Sequence, residues 1–230
     1  VHGNGFRSLK TQNNLKINAG NSGTLVRLLM GLLATYPHKI KIIGDKSLSS
    51  RPMERVITPL EKFGVTFKLN NRKTLPIYIT GSEMPVAINH IEKIGSAQVK
   101  SCLLAAFLNI PGQSTIREEK ISRNHTELFL KKINADIKVK KLKKGNLISL
   151  RGQKNLYAFN YTVGSDPSSA AFLIALTLLT PGSKLTLPGI ICNDTRIGFI
   201  KILRKMNGRI KIQNLKRDSS SGELVGTIVA

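Results

Sequence analysis

Tryptophan is absent from these 230 residues, cysteine occurs twice, and 13 acidic side chains face 36 lysines and arginines. Two cysteines, Cys102 and Cys192, build neither a disulfide framework nor a metal site, so a reducing, cytoplasmic compartment is the expectation. No apolar run approaches the roughly 18 residues of a membrane helix. The first residues do not follow the basic, apolar, small order of a secretory signal. With 41% hydrophobic residues the chain is ordinary for a folded protein and can bury a sizeable core.

The scarcity of acid leaves a net charge of +23, which points to an anionic partner: nucleic acid, a membrane surface or small anionic molecules. The densest lysine cluster, 138–144, alternates with Ile137 and Val139 as a strand running into a turn at Gly145. The few Tyr and Phe are scattered and offer no stacking platform beside the lysines. Small anionic substrates are therefore expected, with no nucleic acid and no membrane as partner. A basic nucleic-acid-binding module is the alternative.

Within this chain one arrangement recurs. Gly20-Asn21-Ser22-Gly23-Thr24 precedes an apolar helical run, as do Gly95-Ser96-Ala97-Gln98 and Ser165-Asp166-Pro167-Ser168-Ser169. Small polar residues ahead of a helix cap it, and their N–H groups can also converge on an anion. Each helix is followed by a proline turn, at Pro37, Pro111 and Pro181, which stand 74 and 70 residues apart. A short strand, a polar loop, a second helix and further strands come next. The period near 72 residues describes a supersecondary unit packing against copies of itself. Strands are expected at 39–43, 114–118 and 184–187, another at 158–162 leading into the third turn, and a loose tail at 216–222. Residues 224–229 read as a strand without a partner, and 1–9 as a loop or edge segment. Pro59 should end or kink its helix unless packing tolerates it.

Each unit also carries an arginine just ahead of its second helix: Arg51, Arg123 and Arg196. Guanidinium forks match phosphate and carboxylate geometry, and hydroxyls with backbone N–H groups complete an anion cage. The bland reading is surface arginines beside helix caps. Glu54 and Glu127 could pair with these arginines or cap their helices. His125 reads as a structural hydrogen-bonder, since no second ligand stands at metal spacing. No P-loop and no paired nucleophile and base are present. Such loops hold anions and stabilise charge.

At these loops the chain resembles the 5-enolpyruvylshikimate-3-phosphate (EPSP) synthase family of enolpyruvyl transferases. The matching segments are 18–24 (NAGNSGT), 44–56 (GDKSLSSRPMERV), 96–101 (SAQVKS), 122–127 (SRNHTE) and 164–170 (GSDPSSA), with the stretch after 211 weakest. The related UDP-N-acetylglucosamine enolpyruvyl transferases are less similar, because their reactive cysteine loop has no counterpart after Gly44.

The resemblance implies an α/β fold, an inside-out α/β barrel of repeated β-α-β-α-β-β units with helices inside and sheets outside. Residues 1–162 would form most of a first domain and 163–230 the start of a second. It implies transfer of the enolpyruvyl group of phosphoenolpyruvate to the 5-hydroxyl of shikimate 3-phosphate, without a cofactor or metal, by a monomer that glyphosate inhibits. Residue by residue, Ser96, Ala97, Gln98 and Arg123 would hold shikimate 3-phosphate, and Gly23, Arg51 and Gln98 phosphoenolpyruvate. The family's catalytic lysine and its second-domain acidic and basic residues have no match, so the chain resembles an internal piece that would not turn over alone.

Overall fold

A computed structural model describes residues 8–230, so most of the segment expected as an opening loop lies outside the described residues. The elements run β1 (Lys16–Asn18), α1 (Gly23–Leu33), β2 (Lys39–Ile43), α2 (Lys46–Ser49), α3 (Glu54–Glu61), β3 (Thr66–Lys68) and β4 (Ile77–Thr80). Next come β5 (Asn89–Glu92), α4 (Ala97–Phe107), β6 (Gln113–Glu118), α5 (His125–Lys132), β7 (Asp136–Lys141) and β8 (Asn146–Arg151). The chain ends with α6 (Pro167–Leu179), β9 (Thr186–Ile191), α7 (Gly198–Lys205), β10 (Lys211–Arg217) and β11 (Leu224–Val229).

Three sheets result, ordered β1-β2-β4-β3, β5-β6-β8-β7 and β10-β11-β9. The first two share one pattern, a parallel pair followed by two antiparallel pairs. The third keeps the antiparallel pairs, and its parallel pair shrinks to a single bridge between Ser165 and Ile190. The expected barrel does not form. Closure needs an unbroken ring of hydrogen-bonded strands, whereas β1 and β3 terminate one sheet, β5 and β7 another, and β9 and β10 the third. These are open mixed sheets.

Two further expectations are corrected. Residues 158–162 form no strand; Phe159 and Tyr161 instead stack edge-on against Phe129 and each other, with ring centroids 5.6–5.7 Å apart. The strand 224–229 is not unpaired, because β11 lies at the centre of its sheet between β10 and β9. Pro59 sits within α3, buried and tolerated.

The chain divides into two compact units, one of residues 1–122 and 134–156, the other of 123–133 and 157–230. In the first, α1 and α4 pack closely enough that a Cβ on Gly31 would lie 2.1 Å from the Cys102 carbonyl oxygen. Val26, Met30, Leu33, Val99, Leu103 and Phe107 are buried there, and Phe63 from the end of α3 tilts against Phe107 with centroids 5.5 Å apart. Burial pushes the Cys102 thiol up to about 12, so it is an inert core residue. In the second unit Ala170, Ile174, Ile190, Ile200, Ile210 and Ile228 make a smaller core. Phe172, Leu173, Leu176 and Leu179 of α6 remain exposed. No helix among the described residues is long and apolar enough to cross a membrane.

Candidate anion site at the start of the first helix

The turn before α1 is built by its own polar groups. Asn18 Oδ1 accepts from the Gly20 N–H at 3.0 Å, and Gly20 adopts φ +54°, a conformation that suits glycine. The Gly20 carbonyl accepts the Asp45 N–H at 2.9 Å, tying this turn to α2. Ser22 caps α1, its Oγ accepting from the Leu25 N–H at 3.1 Å. Asp45 caps α2 through the Leu48 N–H at 2.7 Å and accepts from Asn21 Nδ2 at 2.6 Å. These bonds, with the nearby Arg51 charge, hold its carboxyl below the ordinary value.

Around Gly23 the charge is positive. Arg51 Nη2 donates to Asn21 Oδ1 at 3.2 Å and to Ser47 Oγ at 3.3 Å, neutral acceptors that orient the guanidinium without cancelling it. A Cβ placed on Gly23 would lie 3.5 Å from Arg51 Nη1 and 3.6 Å from Arg27 Nη1. Two guanidinium ends thus flank the first residue of a helix, where the backbone dipole adds positive potential. Burial, then repulsion from Arg51 and Arg55, pulls the Arg27 guanidinium below its ordinary value. An anion between these groups would relieve that repulsion.

The start of α4 joins the same cluster. Arg27 Nη1 donates to Gln98 Oε1, and Gln98 Nε2 donates to Thr24 Oγ1 at 2.8 Å, so both ends of the amide are held by α1. Ser96 caps α4 through the Val99 N–H at 3.3 Å, and Ala97 opens the helix, half-buried. The preceding turn is fixed by Glu92, which accepts from the Ile94 N–H at 2.9 Å. Burial pushes the Glu92 carboxyl up, but its bonds to His90, Ile94 and Ser96 outweigh that and hold it low.

The structure therefore gathers Gly23, Arg51 and Gln98, with Ser96 and Ala97 on the turn beside Gln98. Arg123 belongs to the second unit, exposed just ahead of α5. Glu54 pairs with Lys73 rather than with Arg51. His125 Nδ1 meets Glu223 Oε1 at 2.5 Å, a structural pairing. In the second unit Asp166 caps α6, and Arg196 Nη2 donates to its Oδ1 at 2.5 Å and to Ser168 Oγ at 2.7 Å. Arg27 escaped the sequence reading; its position on the Gly23 face of α1, one turn further on, was the available signal. No group of three or more metal-ligating side chains occurs among the described residues.

Arginines and an amide converging on a helix N-terminus, in an α/β protein of repeated units, form an arrangement that can hold a small oxyanion. The comparisons narrow this. The family model for EPSP synthase (3-phosphoshikimate 1-carboxyvinyltransferase) matches residues 1–226, and the chain belongs to that family. A 3-phosphoshikimate 1-carboxyvinyltransferase of Dinoroseobacter shibae is 40% identical over 230 residues, all of this chain and 50% of the relative. One from Parvibaculum lavamentivorans is 42% identical over 219 residues, 95% of this chain and 48% of the relative. The solved EPSP synthase of Acinetobacter baumannii superposes with a TM-score of 0.84 at 36% identity, covering 99% of this chain and 50% of that one. The chain spans about half the length of the curated relatives it matches.

Proposed function

We propose that this chain supplies the phosphoenolpyruvate site and part of the shikimate 3-phosphate site of an enolpyruvyl transferase. The reaction joins the 5-hydroxyl oxygen of shikimate 3-phosphate to C2 of phosphoenolpyruvate, passes through a tetrahedral intermediate and releases phosphate. The observation that carries the reading is the cation cluster flanking Gly23, held ready by Asn21, Ser47 and Gln98. Phosphoenolpyruvate carries a phosphate and a carboxylate, and two guanidinium forks at a helix N-terminus match that charge. Arg51 and Arg27 would hold the anion, and Gln98, locked by Arg27 and Thr24, would lie between it and the second substrate. Ser96, Ala97 and Arg123 would serve the shikimate 3-phosphate side.

These groups hold and neutralise charge; Asp45, a carboxylate that feels the Arg51 charge, is engaged as a cap and by Asn21. Binding without turnover is therefore proposed for this chain alone. Glyphosate, an anion of similar size, would occupy the space that Gly23 leaves open and compete with phosphoenolpyruvate. The two buried free cysteines support a reducing, cytoplasmic setting. The deciding experiment combines calorimetric titration of the chain with shikimate 3-phosphate and an assay of phosphate release from phosphoenolpyruvate. Saturable binding with no release is the expected result. Release at an ordinary enzymatic rate would overturn the claim of binding alone, and absence of any binding would overturn the site.

A further inference from the structure

Below the surface of the first unit, a buried charge network lies behind the start of α4. Lys100 follows Ser96 by one helical turn and is fully buried, as is Glu118 at the end of β6. Glu118 Oε1 accepts from Lys100 Nζ at 3.1 Å, from the Ser122 N–H at 2.8 Å and from Ser122 Oγ. Its Oε2 lies 3.5 Å from Asn146 Nδ2. Between Glu118 and Ser122 the chain is partly or fully exposed at Glu119, Lys120 and Ile121, and it returns to burial at Ser122 alone before emerging at Arg123.

A buried ion pair is seldom better for stability than apolar side chains of similar volume. Neutralising Glu118 would need only the lysine. The two bonds to Ser122 do something else, fixing both the backbone and the side chain of the residue that leads directly into Arg123. We infer that Lys100, Glu118 and Ser122 are positioning residues that key the loop leading into Arg123 to the helix presenting Ser96, Ala97 and Gln98. The chemistry served is recognition of a phosphorylated substrate. The proposal rests on the reading above for the ligand, but its geometry can be tested without one.

The test replaces the pair by apolar residues, Lys100→Met with Glu118→Leu, and compares the melting temperature, hydrogen exchange at the Ser122 amide and affinity for shikimate 3-phosphate. The expected result is a folded protein with a modestly lowered melting temperature, faster exchange greatest at Ser122 and its loop, and affinity lower by about tenfold or more. Retained protection of the Ser122 amide together with retained affinity would assign the pair to stability alone and overturn the proposal. Should the double variant fail to fold, Ser122→Ala keeps the ion pair and removes only the hydroxyl bond. A measurable fall in affinity at unchanged melting temperature is then expected, and unchanged affinity overturns the proposal. If the unaltered chain binds no shikimate 3-phosphate, the ligand reading fails, while exchange at Ser122 still decides whether the network holds the loop.

Discussion

The N-termini of α1 and α6 are built on one plan and end in opposite electrostatic states. Each is capped by a short polar side chain, Ser22 in one case and Asp166 in the other, and each receives an arginine from the loop before the unit's second helix. At α1 that arginine rests on Asn21 and Ser47, and Arg27 reinforces it, so positive charge is left to act outward. At α6 the cap is itself a carboxylate and takes Arg196 directly. Burial pushes the Asp166 carboxyl up, but the Ser168 and Ser169 bonds and the Arg196 charge outweigh it and hold it low. The backbone plan is therefore not the site. One acidic cap in place of a hydroxyl turns a poised cation into a satisfied ion pair.

The largest expected effect removes the poised cation. Arg51→Met keeps an unbranched apolar stem and loses the charge and hydrogen bonds of the guanidinium, with a loss of about 3 kcal/mol, roughly a hundredfold, in phosphoenolpyruvate or glyphosate affinity. Titration calorimetry reads it, and circular dichroism should show the fold intact, because Arg51 is exposed and its guanidinium bonds to Asn21 and Ser47, themselves exposed. Affinity within a factor of about two of the unaltered chain would place the anion elsewhere.

Gly23→Ala comes next. The added methyl would meet Arg51, Leu48 and Arg27 at 3.5–3.6 Å, ordinary van der Waals contact, so the melting temperature should hold. The methyl instead fills space between the guanidinium ends. A ligand that fits closely there should lose about 1–2 kcal/mol, and glyphosate is expected to lose more than phosphoenolpyruvate. Equal losses for both would refute a size-selective role for Gly23.

The helix starts of the three repeats are legible in the amino-acid sequence for local reasons. N-caps, helix starts and the arginines ahead of the second helices are set by residues a few positions apart, and the repeat made them visible three times. Features that depend on distant partners were not. The alternation of Phe159 and Tyr161 looks like a strand, yet both rings are taken up by Phe129. A strand over 209–213 is legible, but β10 runs on through Lys216 and Arg217, whose polar, exposed side chains read as loose chain, and its pairing with β11 leaves no local signal. The barrel failed because a resemblance carried by loop motifs and a repeated order of elements says nothing about whether sheet edges meet. Arg27 was missed because an arginine inside an apolar helix shows its purpose only when Gln98 arrives from another repeat.

The comparison can also be broken from the other side. Asp166→Asn keeps a good N-cap but removes the charge that satisfies Arg196. Weak phosphate binding, in the millimolar range that corresponds to about 4 kcal/mol, should appear in the second unit. Nuclear magnetic resonance shifts at Ser168 and Ser169 on phosphate titration would report it. If no binding appears, Arg196 needs a second cation of the kind Arg27 provides, and the difference between the two turns is one of cation number rather than of the cap.

The smallest effect is on acid stability. Asp218 accepts from Ser220 Oγ at 2.6 Å, from the Ser221 N–H at 2.7 Å and from Ser221 Oγ at 2.8 Å, and these bonds lower its carboxyl from 3.8 to about 2. Because the folded value is depressed, the stabilisation is fully present above 3.8 and is lost as pH falls toward 2. Asp218 is only half-buried, so solvent screens the effect and only a modest change of slope is expected. Asp218→Asn should flatten that part of the acid denaturation profile while leaving the neutral-pH melting temperature within a few degrees. Asp166→Asn should flatten the profile just below 3.8 in the same sense, since its carboxyl is also depressed, but it alone should alter phosphate binding. A change in phosphate binding with Asp218→Asn would show that the contrast between the two helix starts is not confined to the caps.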